Sequence, residues 1–117
     1  MSFLEQGDII EVNFNPSVGH EPAKRRPAIV ITGYGFNSRS SLVGVAPVQT
    51  TDSNYPMHVP VDGDNLHGFA CVEMARTIDV EQRGYKLVGQ LDDKTLRRIM
   101  SLVRNASTAF IPNCLKP

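Results

Sequence analysis

Asp8-Ile9-Ile10-Glu11-Val12-Asn13-Phe14-Asn15 sets Ile10, Val12 and Phe14 on one side of an extended chain and Glu11, Asn13 and Asn15 on the other. A period of two marks a strand with one buried face. Pro16 stops it. Downstream, Ala28-Ile29-Val30-Ile31-Thr32 is a continuous run rich in β-branched residues, the pattern of a strand covered on both faces. Between them Ser17 to Arg25 reads as a long polar loop carrying Gly19, His20, Glu21 and Pro22, and it runs into the cationic Lys24-Arg25-Arg26.

Working outward, Gly33-Tyr34-Gly35-Phe36-Asn37-Ser38 reads as a second loop, and Leu42 to Ala46 as a strand that ends at Pro47. Met57-His58-Val59-Pro60-Val61 alternates again. Pro60 cannot donate to a ladder, so this strand belongs at a sheet edge. Asp62-Gly63-Asp64 turns the chain, and further short strands are expected at Gly68–Glu73, Ala75–Ile78 and Lys86–Gly89. From Asp93 the period changes: Leu96, Ile99, Met100, Val103, Ala106 and Phe110 recur at helical spacing, with Arg97, Arg98 and Arg104 on other faces. Asp92 is the expected N-cap, Asp93 suits the positive end of the helix dipole, and Pro112 lies beyond the far end. The expected architecture is mainly β with α: five to seven short strands in a small curled sheet or partly open barrel, closed on one side by a C-terminal helix.

The chain has 117 residues, enough for one domain with one core, so residues 1–117 are expected to form a single domain. Twelve basic and twelve acidic residues cancel, which argues against a generally sticky nucleic-acid binder but leaves a local cationic site open. The opening Met1 to Asp8 has neither a positive flank nor a long apolar run, so no signal peptide or membrane span is expected. Cys71 and Cys114 lie far apart with no C-x-x-C spacing, which fits reduced thiols in the cytoplasm.

The densest chemistry is Gly19-His20-Glu21 together with Arg26-Pro27. Transesterification of RNA needs a base for the 2′-OH proton, an acid for the departing 5′ oxygen and a cation for the charge on phosphorus. His20, Glu21 and Arg26 are of the right types, although a charged loop is also what solvent alone favours. Pro27 disfavours helix at Arg26 and anchors it beside the buried strand, where a guanidinium fork clamps phosphate better than a mobile Lys.

Gly7-Asp8-Ile9-Ile10-Glu11-Val12-Asn13-Phe14-Asn15-Pro16, then Gly19-His20-Glu21, then Arg26-Pro27-Ala28-Ile29-Val30 resembles the N-terminal signature of the MazF/PemK toxin family. Val45-Ala46-Pro47, Arg76-Thr77-Ile78-Asp79, Gly84-Tyr85-Lys86 and the terminal helix follow in the family's order. The resemblance runs from about Gly7 to Val103, and the Gly-His-Glu loop is like the PemK-like branch. It implies an SH3-like barrel, a homodimer, metal-independent and sequence-selective cutting of single-stranded mRNA through a 2′,3′-cyclic phosphate, and neutralisation by a cognate antitoxin. By the same resemblance Arg26 matches the catalytic Arg and Glu21 a candidate base. His20 matches the PemK-like His, and Glu73 stands where that branch has its basic carboxylate. Lys24, Arg25, Arg76, Gln49, Thr50 and Phe36 are the expected RNA contacts, with no metal and no cofactor.

Two positions depart from the family pattern. Its Thr after the third strand falls on Gln49 without a gap and on Thr50 with one, and a one-residue shift exchanges the faces of a strand. Cys71 stands where the PemK-like branch has an Arg, which leaves Arg26 as the main charge carrier. Arg76 is either a site cation or a structural partner of Asp79. Phe36 and Tyr55 either stack an unpaired base or fold onto the barrel. His58 and His67 lack metal-ligand spacing, and Gly33, Gly35 and Gly44 do not form a phosphate loop. Two rival readings remain. One is a gyrase poison of the CcdB type, disfavoured because this chain has no Trp for that family's Trp-Gly-Ile helix end. The other is a catalytically weakened barrel that binds RNA or a partner.

Overall fold

The structure is a computed structural model that describes residues 2–15, 24–50, 56–63 and 66–110, with side chains as far as Asn105. His20, Glu21, Tyr55 and Cys114 lie outside the described residues. Seven strands form one antiparallel sheet: β1 Asp8–Asn13, β2 Arg25–Val30, β3 Leu42–Gln49, β4 His58–Asp62, β5 His67–Cys71, β6 Arg76–Asp79 and β7 Tyr85–Gln90. Their order is β4-β5-β3-β2-β1-β7, and β6 joins β3 off this path. Three helices follow: α1 Tyr34–Asn37, α2 Val80–Arg83 and the long α3 Asp93–Phe110.

β2 is buried on both faces, as its composition dictates. Ala28 and Val30 pack inside the curl of the sheet with Leu4, Ile10, Val12, Phe14, Val43, Val45, Ile78 and Val80. Ile29 points the other way, into a second core with Ile9, Val48, Val59, Val61, Ala70, Val72 and Ile99. Helix α3 covers that second core: Ile99 is fully buried, and Leu102 and Val103 lie partly buried against it. The expected small SH3-like barrel is therefore present as a curled half-barrel, with α3 closing one face. The end strands of the path, β4 and β7, do not pair with each other, and exposed Pro60 sits on the β4 edge as anticipated.

Three differences from what the sequence leads one to expect have physical causes. β3 does not end at Pro47 but continues to Gln49. Gly44 accepts from the Ile31 amide at 2.9 Å, so even-numbered β3 residues turn their polar groups toward β2 and odd-numbered ones toward the opposite edge. On that edge β3 pairs with β6 as far as Val45 and with β5 from Val48. Pro47, without an amide hydrogen, falls in the gap between the two partners. The Gly33–Ser38 loop, in turn, contains a helical turn. It is pinned by Asn37, fully buried, whose Nδ2 donates to the carbonyls of Leu4 and Thr32, each at 2.9 Å, and whose Oδ1 accepts from Thr32 Oγ1 at 2.6 Å. A second short helix, α2, was not anticipated either; Asp79 caps it by accepting from the Gln82 amide.

Gly7 has φ +95°, and a Cβ there would lie 2.8 Å from Leu96 of α3, so only glycine lets β1 begin this close to the helix. Asp92 caps α3 as expected: its Oδ2 accepts from the Thr95 amide at 3.0 Å and from Thr95 Oγ1 at 2.9 Å. The Thr95 backbone hydrogen bond, reinforced by its hydroxyl, holds the Asp92 carboxyl below its ordinary value of 3.8. Among the described residues no helix is long and apolar enough to cross a membrane.

Truncating Ile99 to Ala should remove about 2–5 kcal/mol of stability, read as a shift in urea midpoint at unchanged slope. Asp92→Ala should lower the melting temperature at neutral pH. Because the carboxyl is depressed in the folded state, its contribution is complete above about 3.8 and is lost as pH falls through the lower folded value. The gap between wild type and variant should therefore narrow below that pH; a pH-independent gap would show that the cap does not act through its charge.

Candidate active site

Alternation along the strands decides which side chains meet. Val48, Ala70 and Val59 stand opposite one another across β3, β5 and β4, and all three pack under α3. Their neighbours Gln49, Phe69, Cys71, His58 and Pro60 therefore face away from the helix. Arg26 pairs with Val12, and Arg76 with Val45, both residues of the inner core, so the two guanidinium-bearing residues lie on this same face. Extending the β2–β3 register two residues past Ala28↔Pro47 sets Arg26 across from Gln49. The ladder itself stops at Ala28, since Pro27 is the next residue of β2 whose amide position faces β3. Pro27 thus ends β2–β3 pairing just before Arg26 and Gln49 face each other.

Glu73 arrives from outside the ladder. After Cys71 the chain leaves β5 and tightens into a 3-10 turn, Val72–Met74. That turn returns Glu73 to His58: Nε2 and Oε2 are 2.6 Å apart, with His58 side-chain exposure of 4% and Glu73 of 23%. The carboxylate is thus the outer member of the pair, with an imidazole fixed behind it. Cys71 lies directly opposite His58 in the β4–β5 register and is buried. Its Sγ donates weakly to the Phe69 carbonyl at 3.5 Å. Gln49 Nε2 donates to Met74 Sδ at 3.4 Å, tying the end of β3 to the same turn.

Of the two positions left open for the family Thr, Gln49 is the one on the Arg26 face, and Thr50 lies beyond the ladder. Arg25 points to the opposite face, where its Nε lies 2.8 Å from Glu11 Oε1. Lys24 is exposed, immediately before β2. It adopts φ 65°, with its amide on Asn15 Oδ1 and its carbonyl accepting from Phe14 N, both at 2.9 Å. A non-glycine residue in that region stores roughly 1–3 kcal/mol, held here by these two bonds. Phe36 is half exposed on α1, past the far end of β2 from Arg26, which puts roughly 13 Å of strand between Arg26 and the end of β2. Arg76 joins the Arg26 face, while Asp79 serves α2. His67 pairs with exposed Asp62 and lies apart from the Glu73 carboxylate's partner, His58.

His58 was not singled out from sequence as a site residue, because its link to Glu73 spans 15 residues and exists only through the β4–β5 register and the turn that follows it. Chemically, one face of the sheet end now offers two guanidinium groups, an amide and a carboxylate backed by an imidazole. That set can neutralise a phosphate and move a proton beside it.

Residues 5–106 match the family described as PemK-like, MazF-like toxin of type II toxin–antitoxin systems. The chain is 32% identical over 108 residues to the endoribonuclease toxin ChpB of Escherichia coli, covering 85% of this chain and 90% of ChpB. Among solved structures it resembles MazF from Deinococcus radiodurans with a TM-score of 0.85 at 22% identity, covering 92% of this chain and 99% of that one. MazF in a MazE–MazF complex from the same organism gives 0.80 at 20% identity, over 92% and 98% of the two chains.

Proposed function

The chain belongs to the PemK-like, MazF-like toxin family of type II toxin–antitoxin systems, and from that premise we propose that it is an endoribonuclease cutting single-stranded mRNA at selected sequences and held in check by a cognate antitoxin. The observation that carries the reading is the gathering of Arg26, Gln49 and Arg76 on the face that also bears the hydrogen-bonded Glu73–His58 pair.

The reaction is attack of a ribose 2′-OH on its own phosphate, which expels the 5′ oxygen and leaves a 2′,3′-cyclic phosphate. Glu73 takes the 2′-OH proton, and His58 behind it fixes the carboxylate. Arg26 stabilises the charge that builds on the phosphate oxygens, and its rigid strand keeps the fork aimed. His20 and Glu21, in the segment of sequence before Lys24, supply the second proton-transfer group. Gln49 and Arg76 hold neighbouring phosphates or bases, and DNA resists for want of the 2′-OH. No metal takes part in this scheme. The protein works as a homodimer in the cytoplasm, so that two such faces grip one strand.

Purified protein incubated with long single-stranded RNA in excess EDTA should yield discrete fragments with cyclic phosphate ends, and a matched DNA should stay intact. Arg26→Ala should slow cleavage by about 10²–10³-fold. Arg25→Ala, on the other face, should leave it nearly unchanged. RNA that stays intact across a broad panel of sequences would reduce the protein to a binding barrel. Glu73→Gln keeps the shape but not the base: kcat should fall by about 10²–10⁴-fold while RNA affinity changes little. Loss of binding with preserved turnover would instead make Glu73 a contact residue.

A further inference from the structure

His58, Cys71 and Glu73 offer three ligand atoms of different chemistry, an imidazole nitrogen, a thiol sulfur and a carboxylate oxygen, all within 4.8 Å of one another. We propose that these three side chains form a binding site for zinc or a similar borderline divalent cation, and that the bound ion withholds Glu73 from RNA cleavage. The second half rests on the ribonuclease reading above; the first does not.

Donor chemistry decides the class of ion. Thiolate and imidazole together select zinc, cobalt or their neighbours and select against magnesium and calcium, which want oxygen ligands. Zinc bonds of about 2.3 Å to sulfur and 2.0–2.2 Å to nitrogen and oxygen place tetrahedral ligands roughly 3.3–3.7 Å apart, within the present spread of these three atoms. The 2.6 Å His58–Glu73 contact must open, and any pair that stands near the 4.8 Å limit must close by about 1 Å. Glu73 can do this, since it is the partly exposed member and sits on a short turn, whereas His58 and Cys71 are fixed by facing each other across β4 and β5. The two nearly dry ligands are thus preset by the sheet, and the wet one closes the site.

Three protein ligands leave a fourth position for water, so the ion is exchangeable. On binding, the Cys71 thiol releases its proton to solvent, and the proton held between His58 Nε2 and Glu73 Oε2 moves to Nδ1 of a neutral ring or leaves a charged one for solvent, so that two bonds to the ion replace that hydrogen bond and affinity falls as pH is lowered. With its oxygen on the ion, Glu73 can no longer accept the 2′-OH proton. The same exposed carboxylate either takes that proton or binds the ion.

The test uses the full chain stripped with chelator, titrated with Zn²⁺ against a chromophoric competitor and separately with Co²⁺. One ion per chain should bind, with a thiolate-to-cobalt charge-transfer band in the near ultraviolet. Cys71→Ser, His58→Gln and Glu73→Gln, each with Cys114 intact and each checked for folding by circular dichroism, should weaken binding by at least about 100-fold for the first two and less for the third. Absence of the thiolate band in the wild type would overturn the site, as would undiminished binding in folded His58→Gln or Glu73→Gln. Binding is read without RNA, so a failure of the ribonuclease reading leaves this measurement intact. In the cleavage assay one equivalent of Zn²⁺ should slow wild-type cutting and EDTA should restore it. Unchanged rates at saturating Zn²⁺ would overturn the inhibitory role alone.

Discussion

Proline lacks an amide hydrogen, and in this sheet that single fact shapes the end of the molecule where the chemistry gathers. β3 is the central strand, shared by β2 on one edge and by β6 and then β5 on the other. Pro47 lies at the exchange between β6 and β5, and Pro27 lies where β2 stops pairing with β3. Neither residue could sit within an unbroken ladder without orphaning a carbonyl on its neighbour. Placed at the breaks, they let one sheet curl into a half-barrel on one side and fan into the β4–β5 extension on the other.

The same arrangement separates structural work from chemical work. The face beneath α3 is filled by Ile9, Ile29, Val48, Val59, Ala70 and Ile99. The inner face is filled by Ile10, Val12, Val30, Val43 and Val45 as far as the curl reaches. Beyond it, where the ladder opens, the inward positions pass to Arg26, Gln49, Cys71 and His58. Arg26 and Gln49 are partly open there while Cys71 and His58 stay covered, and all four are held in place because each belongs to a strand fixed by the two cores.

Cys71 gives this face its particular character. The resemblance to the PemK-like branch implies a cation at that position, where this chain has a buried thiol, so that Arg26 and Arg76 are the guanidinium-bearing residues on this face among the described ones. It also sets sulfur opposite an imidazole whose other neighbour is the Glu73 carboxylate. On the proposed reading, cation binding and proton transfer compete for one Glu73 oxygen, which would couple that carboxylate to the ionic surroundings without any change of fold.

The sequence by itself determined what each segment could bury. The alternation in Asp8–Asn15, the doubly apolar Ala28–Val30, the edge proline at 60 and the helical period from Asp93 placed the strands, the covered face and the long helix. It also marked Arg26, Gln49 and Glu73, since residue type and the ordered family pattern are local properties. Tertiary structure alone decided which of the marked residues meet. Parity across paired strands sent Arg25 to Glu11 and Arg26 to the opposite face. It set Gln49 on the Arg26 face, left Phe36 at the far end of β2 and joined His58 to Glu73 across 15 residues. A period within one segment is written in that segment, but register is a relation between two strands, set by where each apolar face finds its core, and no single stretch of sequence contains it.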